Sequence, residues 1–440
     1  MESKMTNRYE DMVRRTTWHW EARYGAFIHF GVYSAIARGE WVQSAEKMDA
    51  DTYQRYVDEF NPDRFDADEW ATLIKQAGMK YAVMTAKHHD GFCLFDSKLT
   101  GFNSVKTTGR DYIREYVDAL RRHDLKVGIY YSLVDWHHPD YPAYGDRQHP
   151  MRDNPAWEDR QHNFSAYLDY MHGQVKELCT NYGKIDLLFF DFSYWEMKGE
   201  AWKATELVKM IRALQPDIII NNRLGGDMEA DEPEYYAGDY DAPEQCVPTH
   251  IVRNKKGQPL PWELNITLNN SWGYTTHDFN HKSTSFVIRN LVECVSKNGN
   301  MIVNIGPNGR GEIPKKTKEI LLEIGEWLAD NGEAIYGCGP ADIPTPQWGL
   351  LTQKGKTIYA HVFLPTIGHM NMEGMIGKLK SAYVVADGAE VVITPFWNAD
   401  NLVSKMDSPD DVYLAFGVPV SSTYALPDPR GTVIRINMND

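Results

Sequence analysis

Eight short runs rich in branched and aromatic residues recur between residues 26 and 307, and amphipathic stretches of helical period separate most of them. The runs are 26–33, 80–89, 126–133, 185–192, 217–223, 234–240, 262–268 and 300–307, with 234–240 the weakest. Helical spacing falls at 66–77, 111–123, 157–181, 199–215, 283–296 and 314–330, the last opening with Pro in its first turn. Strand-then-helix repetition predicts parallel strands covered by helices, and eight strands are what a closed (β/α)8 barrel requires. The polar, Pro-bearing stretch 224–261 shows no clear helix and predicts a long loop beside an irregular part of the barrel.

Beyond residue 331 the pattern changes. Residues 357–364, 380–385, 390–395, 411–416 and 432–437 are short, β-branched and separated by Gly, Pro and Asp turns, with no helical spacing. The expected fold class is therefore α/β, a partly irregular (β/α)8-like barrel in residues 1–338 followed by a small antiparallel β-sandwich in 339–440.

In such a barrel the chemistry sits where the strands end. The predicted ends carry His29, followed by Glu40 and Trp41; His88, His89 and Asp90; Tyr130, Tyr131 and Ser132; Asp191; Asn222 and Arg223; then Asp239, Asp241 and Glu244. Asp191 leaves a strand among Phe189, Phe190, Phe192 and Tyr194, where an unpaired charge costs several kcal/mol. Any one of these residues could be a satisfied core group, a cap or a surface pair. Together they form a polar ring that a hydroxyl-rich ligand would satisfy.

Other chemistries fit less well. The chain has no Gly-rich phosphate loop after a strand and no Gly-x-Ser-x-Gly elbow. His88 and His89 are adjacent, so on one strand they would point to opposite faces, and only Asp90 lies at ligand spacing; no metal and no cofactor are expected. The net charge of −15 argues against nucleic acid and against an anionic membrane surface as partners. Five scattered cysteines form no CxxC pair, no 18 apolar residues run together and no apolar segment opens the chain, so a cytoplasmic protein is expected. A homo-oligomer is neither required nor excluded. What remains is a pair of carboxylates, one buried where Arg and His stabilise its charge and one in a loop as proton donor: the equipment of a glycoside hydrolase.

The strings AFIHFGVYS (26–34), GEW (39–41), KHHDGF (87–92), YYS (130–132), Phe190-Asp191, Asn222-Arg223, SWGY (271–274) and NIGP (304–307) occur in this order. They resemble the α-L-fucosidases of glycoside hydrolase family 29, from about residue 18 to 340, and KHHDGF with HFG and NIGP is a specific combination. The resemblance implies a barrel followed by a β-sandwich and a retaining exo-α-L-fucosidase acting on a fucosylated oligosaccharide or glycoconjugate. It implies Asp191 as nucleophile and His29, His88 and His89 as ligands of fucose hydroxyls, with Glu40, Trp41 and Tyr131 alongside. Arg223 would lie beside the nucleophile, and Phe27 with Trp272 would form the apolar wall for the C5 methyl group. Glu244 is the expected acid/base, with Glu232 and Glu234 as reserves in the same acid-rich loop. Phe189 stands where relatives often have Trp. The competing readings are a glycosidase for a related sugar such as α-L-galactose and a catalytically inactive fucose-binding lectin.

Overall fold

The computed structural model describes residues 8–366, 370–395, 410–416 and 425–439. Among these, seven parallel strands form one curled sheet: β1 (Tyr24–Ile28), β2 (Tyr81–Lys87), β3 (Lys126–Ser132), β4 (Leu187–Asp191), β5 (Ile219–Ile220), β6 (Trp262–Ile266) and β7 (Gly299–Ile305). Their order is β5-β4-β3-β2-β1-β7-β6. Every residue of β1, β2, β6 and β7 is buried, because alternate side chains enter two different cores. Phe27, Tyr81, Val83, Tyr130, Leu187 and Phe189 belong to the interior cluster. Ala26, Ile28, Ala82, Met84, Val127, Ile129 and Tyr131 belong to the outer one, under the helices.

Helices Ala67–Gln76, Tyr112–Arg122, Phe164–Asn181, Ala204–Leu214, Thr284–Ser296 and Lys315–Asn331 lie where the spacing predicts them, with ends shifted by a few residues. Side chains fix four of these starts: Asp66 accepts from Asp68 N and Glu69 N, Asp111 from Arg114 N, Asn163 from Ala166 N and Ser283 from Phe286 N. The helix Arg8–Ala22 was not legible in the pattern. It lies under the start of the strands, where Trp18 and Ala22 join the interior cluster and His19 Nε2 is 2.7 Å from Glu263 Oε2.

The expected strand at 234–240 does not form. Residues 239–245 cross the gap between β5 and β6 by single parallel bridges, Asn221 with Tyr240, Asp241 with Trp262 and Glu244 with Asn265. Asp239 N donates to Ile220 O (2.7 Å), Asn222 N to Tyr240 O (3.0 Å), Glu263 N to Asp241 O (2.8 Å) and Asn265 N to Pro243 O (3.1 Å), which completes the circle. Pro243 has no N–H to give a ladder. Gly238 has φ 93°, and a Cβ there would press on the Asn221 backbone. The barrel is thus regular on one side and irregular on the other.

The C-terminal part is antiparallel. Five strands run in the order Leu379–Val384, Thr432–Met438, Thr357–Val362, Leu350–Lys354, Gly339–Pro340, and three in the order Met370–Met372, Val412–Phe416, Val391–Thr394. Ile358, Ala360, Ile434 and Ile436 of the first sheet meet Met370, Met372, Val391 and Leu414 of the second in one core. Strands Leu350–Lys354 and Met370–Met372 carried no readable signal.

Candidate active site

Each side chain at the barrel mouth is placed by the strand it follows. β1 is buried up to Ile28, and the next backbone N–H, of His29, still donates to Ile305 O of β7 (3.0 Å), so the imidazole is fixed at the rim. β2 stops at Lys87, whose ammonium turns outward to the buried Asp135 carboxylate (3.1 Å). His88 and His89 therefore lie in a turn beyond the strand, not on it, and both face the same pocket. The alternation expected of them does not apply. Gly91, with φ 79°, lets the chain reverse behind them, and Trp136 N donates to His89 O (2.8 Å) to hold the turn.

β3 and β4 are in register with Tyr130 beside Phe189 and Ser132 beside Asp191. Residues paired across parallel strands share a face, so Tyr130 and Ser132 point inward with Asp191. Tyr131 points the other way: its hydroxyl donates to Gln174 Oε1 (2.8 Å) in the outer core. The expectation that Tyr131 touches the ligand is corrected, and its neighbour Tyr130 takes the place. The apolar stripe Val127, Ile129, Tyr131, suited to the helix-covered face, carried that signal.

The pocket opens to solvent, and its space, counted out into the open mouth, is about 420 Å³. It is lined by Phe27, His29, Glu40, Trp41, His88, His89, Asp191, Arg223, Glu244 and Trp272, all expected, and by Tyr130, Phe189, Phe192 and Asn265, which were not assigned. Glu232 and Glu234 are not among the lining residues, and Glu234 Oε2 instead accepts from Asp227 N (3.0 Å). Asp239 also lies elsewhere, buried and paired with Arg15 (2.6 Å) and with Arg212.

Asp191 is held at both oxygens. Oδ1 accepts from Arg223 Nη1 (2.8 Å) and Oδ2 from Tyr130 OH (2.8 Å), with His89 Nε2 at 3.8 Å. The second amino group of Arg223 reaches Ala242 O (2.9 Å) and Glu244 Oε2 (3.2 Å). One guanidinium thus joins the two carboxylates. Burial opposes its charge, but Asp191 and Glu244 outweigh that and keep its pKa above the ordinary value. Glu244 Oε1 accepts from Trp272 Nε1 (3.2 Å). Glu40, buried, accepts from Gly273 N (2.7 Å) and so anchors the loop that carries Trp272; burial raises its pKa.

The histidines are neutral in character. Burial lowers His29 and His89 to about 4 and His88 well below its usual value. His29 Nδ1 is 2.7 Å from Asn304 Oδ1 and His89 Nδ1 is 2.7 Å from Ser132 Oγ. His88 Nδ1 is buried with no protein partner. Aromatic rings close the walls: Phe27 meets Trp272 at 5.7 Å and Phe189 at 5.0 Å, while Trp41 meets His89 at 4.9 Å and Phe192 at 5.3 Å. Phe192, directly after Asp191, has φ 82°, an uncommon state for a bulky residue that turns its ring into the pocket. In place of an indole, Phe189 lies under the Arg223 guanidinium at 5.6 Å. Among the described residues no group of three or more His, Cys, Asp and Glu is arranged to hold a metal ion.

Comparison with known proteins gives the same picture. The alpha-L-fucosidase family model matches residues 1–333. An alpha-L-fucosidase of Dictyostelium discoideum is 30% identical over 398 residues, 83% of this chain and 81% of that protein. The tissue alpha-L-fucosidase of Homo sapiens is 32% identical over 392 residues, 82% of this chain and 78% of that protein. The solved structure of alpha-L-fucosidase isoenzyme 1 from Paenibacillus thiaminolyticus is 54% identical, with a TM-score of 0.93 over 98% of this chain and 100% of that one. A Bacteroides thetaiotaomicron GH29 alpha-L-fucosidase, solved as a covalent intermediate trapped with 2-fluoro-fucosyl fluoride, is 26% identical, with a TM-score of 0.78 over 100% of this chain and 98% of that one. With three quarters of its length matched by the family model and close to all of it by these structures, the chain belongs to the alpha-L-fucosidase family of glycoside hydrolases.

Proposed function

We propose that the chain removes terminal α-L-fucosyl units with retention of configuration, Asp191 acting as nucleophile and Glu244 as acid/base. The observation that carries this is the Arg223 guanidinium, bonded to Asp191 on one amino group and to Glu244 on the other. A shared guanidinium keeps the two carboxylates close together at one pocket wall, which supports the retaining course, where the pair lies roughly 5–5.5 Å apart. In the first step Asp191 attacks C1 while Glu244 protonates the glycosidic oxygen; in the second Glu244 takes a proton from the water that releases the sugar. Tyr130 and Arg223 fix the attacking carboxylate before substrate arrives, so little reorganisation remains to be done at the transition state.

The rest of the pocket suits a 6-deoxy sugar. Phe27 and Trp272 form an apolar corner for a methyl group, worth about 1–3 kcal/mol of discrimination against a hydroxymethyl. His29, His88 and His89, with Glu40 and Trp41, face the hydroxyl-bearing side. The trapped covalent intermediate of the Bacteroides thetaiotaomicron relative supports the two-step course.

The test is Asp191→Gly assayed with 4-nitrophenyl α-L-fucoside, without and with azide. Turnover falls by more than about 10⁴-fold and azide restores it as the β-fucosyl azide. A variant that keeps its activity, or one that azide cannot revive, rejects Asp191 as nucleophile.

A further inference from the structure

The hydrogens on the two imidazoles nearest the nucleophile follow from their partners. Ser132 Oγ donates to Val134 O (2.8 Å), a carbonyl that can only accept. Its single hydrogen is committed, so the 2.7 Å contact with His89 Nδ1 must be made by a hydrogen on the ring. The same logic holds at His29. Asn304 Nδ2 donates to Trp272 O (2.6 Å), which leaves Asn304 Oδ1 to accept from His29 Nδ1. Each ring, kept neutral by burial, then has a bare Nε2.

For His89 this has a consequence at the nucleophile. Its bare Nε2 stands 3.8 Å from Asp191 Oδ2, two acceptors facing each other with no hydrogen between them. That separation lets one hydroxyl oxygen sit just off the line, within about 2.8 Å of both. The sugar hydroxyl that can reach a carboxylate attacking C1 is the one on the adjoining carbon, and bonds to that 2-OH strengthen toward the transition state in retaining glycosidases.

We propose that Ser132 is a positioning residue: it locks His89 in the Nδ1–H tautomer, so that His89 Nε2 and Asp191 Oδ2 form a double-acceptor slot for the substrate 2-OH. This rests on Asp191 as nucleophile. While Asp191 is a carboxylate the hydroxyl donates to it. When the glycosyl ester forms and the negative charge is consumed, the same hydrogen turns to His89, so the hydroxyl keeps a partner throughout. Without the serine hydroxyl the ring hydrogen is free to move to Nε2, where it bonds Asp191 directly and closes the slot.

Two measurements test the proposal. Ser132→Ala lowers kcat/KM on 4-nitrophenyl α-L-fucoside by roughly 10–100-fold, the worth of a hydrogen bond to a charged group, and by less than about threefold on the 2-deoxy analogue. Ser132→Thr, which keeps the hydroxyl, recovers most of the loss. Equal losses on both substrates overturn the slot, since a merely structural serine does not distinguish them. Nitrogen NMR of histidine-labelled wild-type enzyme, with the signal assigned through His89→Gln, shows Nδ1 protonated and Nε2 bare at neutral pH. An Nε2–H ring or an imidazolium overturns the lock, and this measurement needs no Ser132 variant to fold. It is independent of which residue is the nucleophile, so failure of the lock is distinguishable from failure of the assignment of Asp191.

Discussion

The two sides of the barrel mouth are built differently, and the two carboxylates are divided between them. Asp191 ends a regular strand, its side chain is 15% exposed, and both oxygens are bonded at 2.8 Å. Glu244 stands on the irregular crossing between β5 and β6, its side chain is 46% exposed, and its two bonds are each 3.2 Å. In its proposed role as nucleophile Asp191 must meet one atom, C1, in one geometry, and a strand flanked by β3 and β5 supplies that rigidity. In its proposed role as acid/base Glu244 must reach first a leaving oxygen and then a water, and an exposed segment held by looser bonds suits that double duty. Arg223 couples the halves.

If the division is right, damage to the irregular side should depend on the leaving group. Glu244→Ala loses about 10²–10⁴-fold on fucosides with poor leaving groups and much less on activated aryl fucosides. An equal loss on both would reject Glu244 as the acid/base. Removing the coupler affects both steps: Arg223→Ala lowers kcat by roughly 10²–10³-fold whatever the aglycone, the size expected for one preorganised charged donor. A loss confined to poor leaving groups would show that Arg223 serves Glu244 alone. On the regular side, Tyr130→Phe removes one bond to Asp191 and lowers kcat/KM by roughly 10–100-fold. Its neighbour is the control, since Tyr131→Phe breaks only the bond to Gln174, leaves kcat/KM unchanged and shows as a loss of about 1 kcal/mol in denaturant unfolding.

Acid should weaken the regular side first. Burial holds His29 and His89 at about 4, below the value near 6.5 they take in the unfolded chain. Groups with depressed folded-state pKa values bind protons more readily when unfolded, so the stability they lend is present above about 6.5 and is lost as pH falls through about 4. Asp90, which burial pushes up to about 6, works the other way; its contribution is full below about 3.8 and is lost as pH rises through about 6. With the three buried imidazoles of the pocket, His29, His88 and His89, against the two raised carboxyls, Asp90 and Glu40, Tm should fall between about pH 6.5 and 4, and His89→Gln should flatten that fall. A Tm constant over this range would contradict the burial of neutral rings.

Much of this was legible in the sequence because two signals agreed. Runs of branched and aromatic residues, with helical spacing between them, located β1 to β7, and the ring of polar residues at their ends marked the pocket. The failures have local causes. His88 and His89 read as strand residues with opposite orientations, but β2 ends at Lys87, two residues short of the expected run, and a turn aims both inward. The resemblance points to Tyr131, and the register that turns Tyr130 inward instead is not written in either strand alone; it becomes visible only with Ser132 beside Asp191. The crossing at 239–245 uses single bridges and the Asp239 side chain, which accepts from Ile220 N (2.9 Å), in place of a ladder, so no strand pattern marks it. The helix Arg8–Ala22 is polar along much of its length and buries Thr16 and His19 beside Met12 and Ala22, so few apolar positions mark its inner face.

The most direct measurement is to inactivate the enzyme with 2-deoxy-2-fluoro-α-L-fucosyl fluoride and map the labelled peptide by mass spectrometry. One fluorofucosyl group per chain, carried on Asp191 and removed as activity returns, is the predicted result. A label on any other carboxylate, or inactivation with no covalent adduct, would contradict it.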